Sequence, residues 1–217
     1  MKDSAWKLRR LTVMAMLTAI SYAAVFFFRI PVVLFLNYEP KDVLLTIGAF
    51  LFGPLTGAIM AVVVALLEMV TFSTTGAIGL AMNIISSCLF VCTASLIYHR
   101  KRTLSGAVIG LICGALLTTI GMVLWNYLIT PLYMSVSRAD VVSMLLPVFA
   151  PFNLLKGAIN ATLAMLLYKP LSSALRSARL LPPTEMSGKK ARIPVWLIAL
   201  FVLTTLVLIL LSWKGVI

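Results

Sequence analysis

The sequence predicts an all-α integral membrane protein, and three observations predict it. Of 217 residues, 62% are hydrophobic and 11% charged, with a mean hydropathy of +1.09, whereas a soluble domain is about 45–50% apolar and about 25% charged. Apolar runs long enough to cross a bilayer repeat along nearly the whole chain. The basic residues behind a net charge of +12 sit in short clusters between those runs. That pattern belongs to cytoplasmic loops and anionic lipid head groups, not to nucleic acid.

The elements follow in order. A first helix covers about Leu11 to Phe28. Its apolar run is long and lacks a small-residue cleavage site, so it reads as a transmembrane helix and not a removed signal peptide. Arg29 to Lys41, with Pro31 and Pro40, is an outer loop. A short second helix runs from about Asp42 to Phe52, and Gly53-Pro54 breaks it from a third that reaches about Phe72. After a polar turn from Ser73 to Gly76, a fourth helix covers about Ala77 to Tyr98 and ends at the cluster His99-Arg100-Lys101-Arg102. The fifth spans about Ser105 to Ile129 and should stop near Thr130-Pro131. A second outer loop holds Ser135 to Asp140. The sixth helix runs from about Val141 to Leu175 and should be broken around Pro147 and Pro151. A basic, Pro- and Gly-containing linker follows, then a seventh apolar span from Val195 to Ser212 between Trp196 and Trp213. The expected organisation is a six-helix membrane domain (1–175), a linker (176–193) and one additional transmembrane helix (194–217).

Orientation follows from the basic residues. With the N-terminus in the cytoplasm, thirteen of the 18 Lys and Arg fall on the inner side and five on the outer, which favours that topology in the cell membrane. Both outer loops and the start of the sixth helix's polar stripe then share one external mouth.

That stripe is Asn153, Lys156 and Asn160, spaced i, i+3, i+7 on one helix face just after the two prolines. A charge inside a membrane segment costs about 2.5–3.5 kcal/mol on insertion scales, so it should face a cavity, a partner or a ligand. Glu68 is the one carboxylate clearly inside an apolar run; it either pairs with Lys156 or is solvated near the interface. Trp125-Asn126-Tyr127 is either an interfacial belt or a grip on a flat heteroaromatic ligand, whose imide or lactam edge an amide matches. Asn83 is either a ligand contact or an interhelical link. Cys88, Cys92 and Cys113 read as packing residues, and with His99 the sole histidine no metal site is expected. Gly53-x-x-x-Gly57, Gly106/Gly110/Gly114 and Ala15/Ala19/Ala23 are small-residue patterns of close helix contact.

The chain has no Gly-x-x-x-x-Gly-Lys-Ser/Thr, His-Glu-x-x-His, Gly-x-Ser-x-Gly or Cys-x-x-Cys sequence. ATP hydrolysis by the P-loop route is excluded, and the parts present suit binding, not catalysis.

The run Leu36-Asn37-Tyr38-Glu39-Pro40-Lys41-Asp42-Val43, then Gly48 to Pro54, Trp125-Asn126-Tyr127, and Leu146-Pro147 through Pro151-Phe152-Asn153-Leu154-Leu155-Lys156-Gly157 resemble one known family. They are similar to the riboflavin-specific substrate-binding (S) components of energy-coupling factor (ECF) vitamin transporters, over about residues 8 to 170. The resemblance implies a six-helix S-component bundle that takes riboflavin at the external face as transported ligand, with no other cofactor. It implies partners too: a separate transmembrane coupling protein and two ABC-type ATPase subunits. By the same resemblance flavin contacts fall to Asn126, Asn153 and Lys156, and the first outer loop, around Leu36 to Lys41 with Tyr38 and Glu39, helps to cover the ring. Ala15, Ala19 and Ala23 form the face that docks on the coupling protein. The seventh helix departs from the family pattern. The other readings are an S component for another vitamin, such as a folate or a pyridoxine-like solute, and a self-sufficient secondary carrier.

Overall fold

The computed structural model describes residues 2–182, apart from 34, 35, 74 and 135, together with Val202. The remainder of the linker and the expected seventh helix lie outside the described residues.

Nearly all of the described chain is helical. Helix α1 (Lys2–Phe27) leads into a two-stranded antiparallel hairpin, β1 (Ile30–Val33) and β2 (Leu36–Tyr38). Then come α2 (Lys41–Phe52), α3 (Pro54–Thr71), α4 (Gly76–Lys101), α5 (Leu104–Met134), α6 (Arg138–Met144) and α7 (Ala150–Ser177). Five helical stretches are long and apolar enough to cross a membrane: 6–27, 54–71, 76–101, 104–132 and 138–177. Helix α2, at 12 residues, is too short to span by itself.

The outward faces carry bare apolar side chains. Leu55, Val70 and Leu146 are each more than 70% exposed, which lipid tolerates and water does not. Inward, Val13, Leu17, Leu45, Ile47, Met60, Val64, Phe90 and Leu111 build one core that joins α1 to α5. Gly53, at φ +104, makes the sharp reversal between α2 and α3 in a conformation that favours glycine. Gly110 brings α5 against α4 so closely that a Cβ there would lie 2.5 Å from the Ala94 carbonyl oxygen.

The structure corrects several expectations. The first loop is an antiparallel hairpin with an irregular register between Pro31 and Val33, not an irregular segment. Helix α1 starts at Lys2, about two turns before the expected Leu11. Pro131 does not stop α5, which continues to Met134; near a helix end a proline removes only one backbone bond. At Pro147 and Pro151 the α-helix is interrupted as expected, but without a gap in the helical path. Residues Leu145–Phe149 form a single π turn between α6 and α7, closed by the Ala150 N–H on the Leu145 carbonyl. The wider turn takes up Pro147, and Pro151 falls in the first turn of α7, where no N–H donor is needed.

Candidate ligand-binding site

The hairpin closes over α7. Leu36 packs with Val141, Phe149 and Phe152, and Tyr38 packs with Leu155 and Ile159. Beneath it lies a cavity of about 470 Å³, a size suited to a small organic ligand. Its apolar wall includes Leu36, Phe72, Met82, Met122 and Phe152. Its polar wall includes Arg29, Glu39, Glu68, Asn83, Ser86, Asn153 and Lys156.

Four of these wall residues, Arg29, Glu39, Glu68 and Lys156, join Lys41 and Asp42 in an ionic cluster of three cations and three carboxylates, buried except at the exposed Arg29 and the partly buried Lys156. Lys41, 1% exposed, holds both oxygens of Glu68 at 2.7 Å and Glu39 at 3.0 Å. Arg29 reaches Glu39 at 3.4 Å, and Lys156 reaches Asp42 at 3.8 Å. Neutral donors complete it. Asn83 donates to Glu68 at 2.8 Å, Ser87 to Asp42 at 2.6 Å, and the Tyr38 hydroxyl to Asn160 at 3.0 Å. Burial opposes ionisation of Glu39, but the charges of Lys41, Lys156 and Arg29 outweigh it and hold its carboxyl below the usual carboxylate range. Burial first, and the Asp42 charge second, push the Tyr38 hydroxyl upward, so it stays a neutral donor. A network so desolvated adds little net stability; it fixes positions.

The structure brings Leu36, Glu39, Asn83, Asn153 and Lys156 onto this one cavity. Asn153 is 4% exposed and donates to the Phe149 carbonyl at 2.8 Å, which leaves its Oδ1 as an acceptor edge. The single 3.8 Å contact of Lys156 leaves its ammonium with donors to offer a ligand. Trp125, Asn126 and Tyr38 do not line the cavity. Asn126 is fully buried; it donates to the Met122 carbonyl at 2.7 Å and accepts from Thr130 at 2.9 Å, one turn from the lining residue Met122. The Trp125 indole N–H is buried without a partner among the described residues. Glu68 pairs with Lys41, not with Lys156, which corrects one of the two readings of that carboxylate. Its 2% exposure corrects the other.

Sequence reasoning missed Arg29 and Asp42 as parts of the site, and placed Lys41 only at the end of the covering loop, not in the ionic cluster. The signal was present in the charge-dense run Glu39-Pro40-Lys41-Asp42 at the entry to an apolar helix, because charges in such a place need partners.

A multi-pass helical bundle whose polar side chains converge on one cavity defines a membrane protein built to hold a solute. The chain belongs to the family of ECF transporter substrate-specific components, whose match covers residues 9–168. This is a transporter family, not an enzyme family. The chain is 33% identical over 176 residues to the riboflavin transporter RibU of Staphylococcus aureus, covering 77% of this chain and 93% of that one. It is 29% identical over 178 residues to the riboflavin transporter RibU of Streptococcus thermophilus, covering 77% and 84%. A solved structure of the S component of a bacterial ECF transporter superimposes with a TM-score of 0.67 at 31% identity, covering 78% of this chain and 99% of that one.

Proposed function

We propose that this protein binds riboflavin in the cavity beneath the hairpin and serves as the substrate-binding subunit of an ECF importer. The observation that carries this reading is the juxtaposition of Asn153 and Lys156 with an apolar wall of Leu36, Met82, Met122 and Phe152. A flat, fused-ring ligand with one polar edge fits such a lining: the rings meet the apolar wall, and the carbonyl and N–H edge meets an amide and an ammonium. The two relatives named as riboflavin transporters support the choice of vitamin.

Asn153, Lys156, Asn83, Glu39 and Leu36 contact the flavin. Asn126, Trp125 and Tyr38 back the wall. The thirteen-to-five distribution of basic residues supports a cytoplasmic N-terminus, and the cavity then opens to the exterior. A transmembrane coupling protein and two ABC-type ATPase subunits supply the energy. Ala15 and Ala19 are exposed and Ala23 is half-buried along one side of α1, a small-residue face on which the coupling protein docks.

The test is the absorbance spectrum of the detergent-purified protein before any ligand is added. Flavin bands, with riboflavin identified by mass spectrometry, are the expected result. A colourless preparation that also fails to quench added riboflavin fluorescence would remove the vitamin assignment, and a panel including folate and pyridoxine would then be screened.

A further inference from the structure

Lys41 is the centre of the ionic cluster, yet it does not line the cavity. It stands behind two residues that do. One is Glu39, at the end of the hairpin; the other is Glu68, near the end of α3. The three atoms of contact are short, at 2.7, 2.7 and 3.0 Å, and all three residues are at most 7% exposed. Glu39 in turn carries Arg29, so the chain at both feet of the hairpin is tied through one carboxylate to Lys41. Glu68 in turn carries Asn83 of α4, another lining residue.

We infer that Lys41 is a positioning residue for the site: its ammonium fastens the hairpin to α3 through Glu39 and Glu68 and so sets how long a bound ligand is retained. The inference rests on the cavity being the ligand site. Without the ammonium, two carboxylates would stand on one wall of the cavity with no cation between them, and their repulsion would push the end of the hairpin away from α3. The groups facing that pair are known from every side: Arg29 at the α1–β1 junction, Asp42 from α2, Lys156 from α7, and the uncharged amide of Asn83 from α4. Arg29 and Lys156 reach other carboxylates or only one of the two at ion-pair distance, so neither replaces Lys41.

The experiment uses full-length wild type, Lys41→Met, Glu39→Gln and the double variant. Riboflavin association and dissociation are followed by fluorescence quenching at about pH 8 and about pH 5.5, since protonation relieves repulsion between paired carboxylates. Amide exchange of residues 29–40 is measured in ligand-free protein. Lys41→Met is expected to speed dissociation at least ~tenfold at the higher pH with little change in association. The gap should narrow toward the lower pH as the repelled pair takes up a proton. Exchange across 29–40 should rise, and the ligand-free double variant should exchange there no faster than Lys41→Met alone. Wild-type dissociation in Lys41→Met, or a defect equal at both pH values, would overturn the inference; the latter would mark a plain packing loss. Should Lys41→Met not fold, the near-isosteric Glu39→Gln decides in its place through ligand-free exchange alone, since Glu39 also lines the cavity: faster exchange across 29–40 supports the inference, and wild-type exchange overturns it. Failure of the wild type to bind riboflavin would count against the proposed function, and the ligand-free exchange would then decide the role of Lys41 separately.

Discussion

At its first turn α2 carries Lys41 and Asp42 into an ionic cluster beside a cavity of about 470 Å³. At its last turn the same helix carries Phe50 into a cluster of rings, 4.5 Å from Tyr98 and 5.9 Å from Tyr168 between centroids. There the backbone is closed by side chains. Ser95 donates to the Ala49 carbonyl at 2.8 Å, and a ring nitrogen of His99 lies 3.1 Å from the same oxygen. The cavity at that end is smaller, about 220 Å³. The two ends differ because charges and rings solve burial differently. Buried charges must keep fixed partners at fixed distances, which holds walls apart. Rings fill space until contact. One end of the bundle is therefore shaped to receive a solute, and the other to hold the helices together.

That contrast can be broken by substitution. The largest effect belongs to the ring end. Phe50→Ala should lower thermal stability by about 3–5 kcal/mol, while the folded fraction keeps its riboflavin affinity; a coupled loss of affinity in folded protein would show that the ends are not separable. A smaller effect tests the boundary of the site. Asn126→Ala removes bonds to Met122 and Thr130, and should cost about 1 kcal/mol of stability with affinity nearly unchanged in a titration. A large affinity loss would put Asn126 among the flavin contacts. The smallest expected effect is that of pH. The Glu39 carboxyl is held below its ordinary range, so its contribution to stability is fully present above about pH 4.3 and disappears only as pH falls through its lower, folded-state value. Between about pH 8 and about pH 5 Glu39 should therefore contribute no pH dependence, and the binding profiles of wild type and Glu39→Gln should run parallel there; profiles that diverge within that window would mean that Glu39 is not clamped as the distances imply.

Much of this was legible in the sequence, and the exceptions have physical causes. The helices were legible because lipid demands long apolar runs with every backbone group satisfied within the segment. The stripe of Asn153 and Lys156 was legible because polar groups in such a run need a reason. The hairpin was not, since strands of 4 and 3 residues carry almost no periodic signal. The partner of Glu68 was misjudged because Lys156 is conspicuous within its apolar run, whereas Lys41 stands at the edge of one, beside the carboxylates Glu39 and Asp42 that already offer it local partners. Geometry around Gly53 could have decided it. Helices α2 and α3 reverse there, and Lys41 and Glu68 stand at comparable distances before and after the turn, so the two meet side by side. Asn126 illustrates the remaining limit: an amide beside two rings looks the same in sequence whether it faces a ligand or bonds within its own helix.

The central claim is that the polar wall of this cavity binds riboflavin. The most direct test is a fluorescence-quenching titration of purified wild type, Asn153→Ala and Lys156→Ala with riboflavin. Saturable one-site binding by the wild type, weakened about ten- to a hundredfold in each variant for loss of a buried hydrogen bond or charge, is the predicted result. Equal affinity in all three proteins would contradict the assignment of the site, and no binding by the wild type would contradict the assignment of the vitamin.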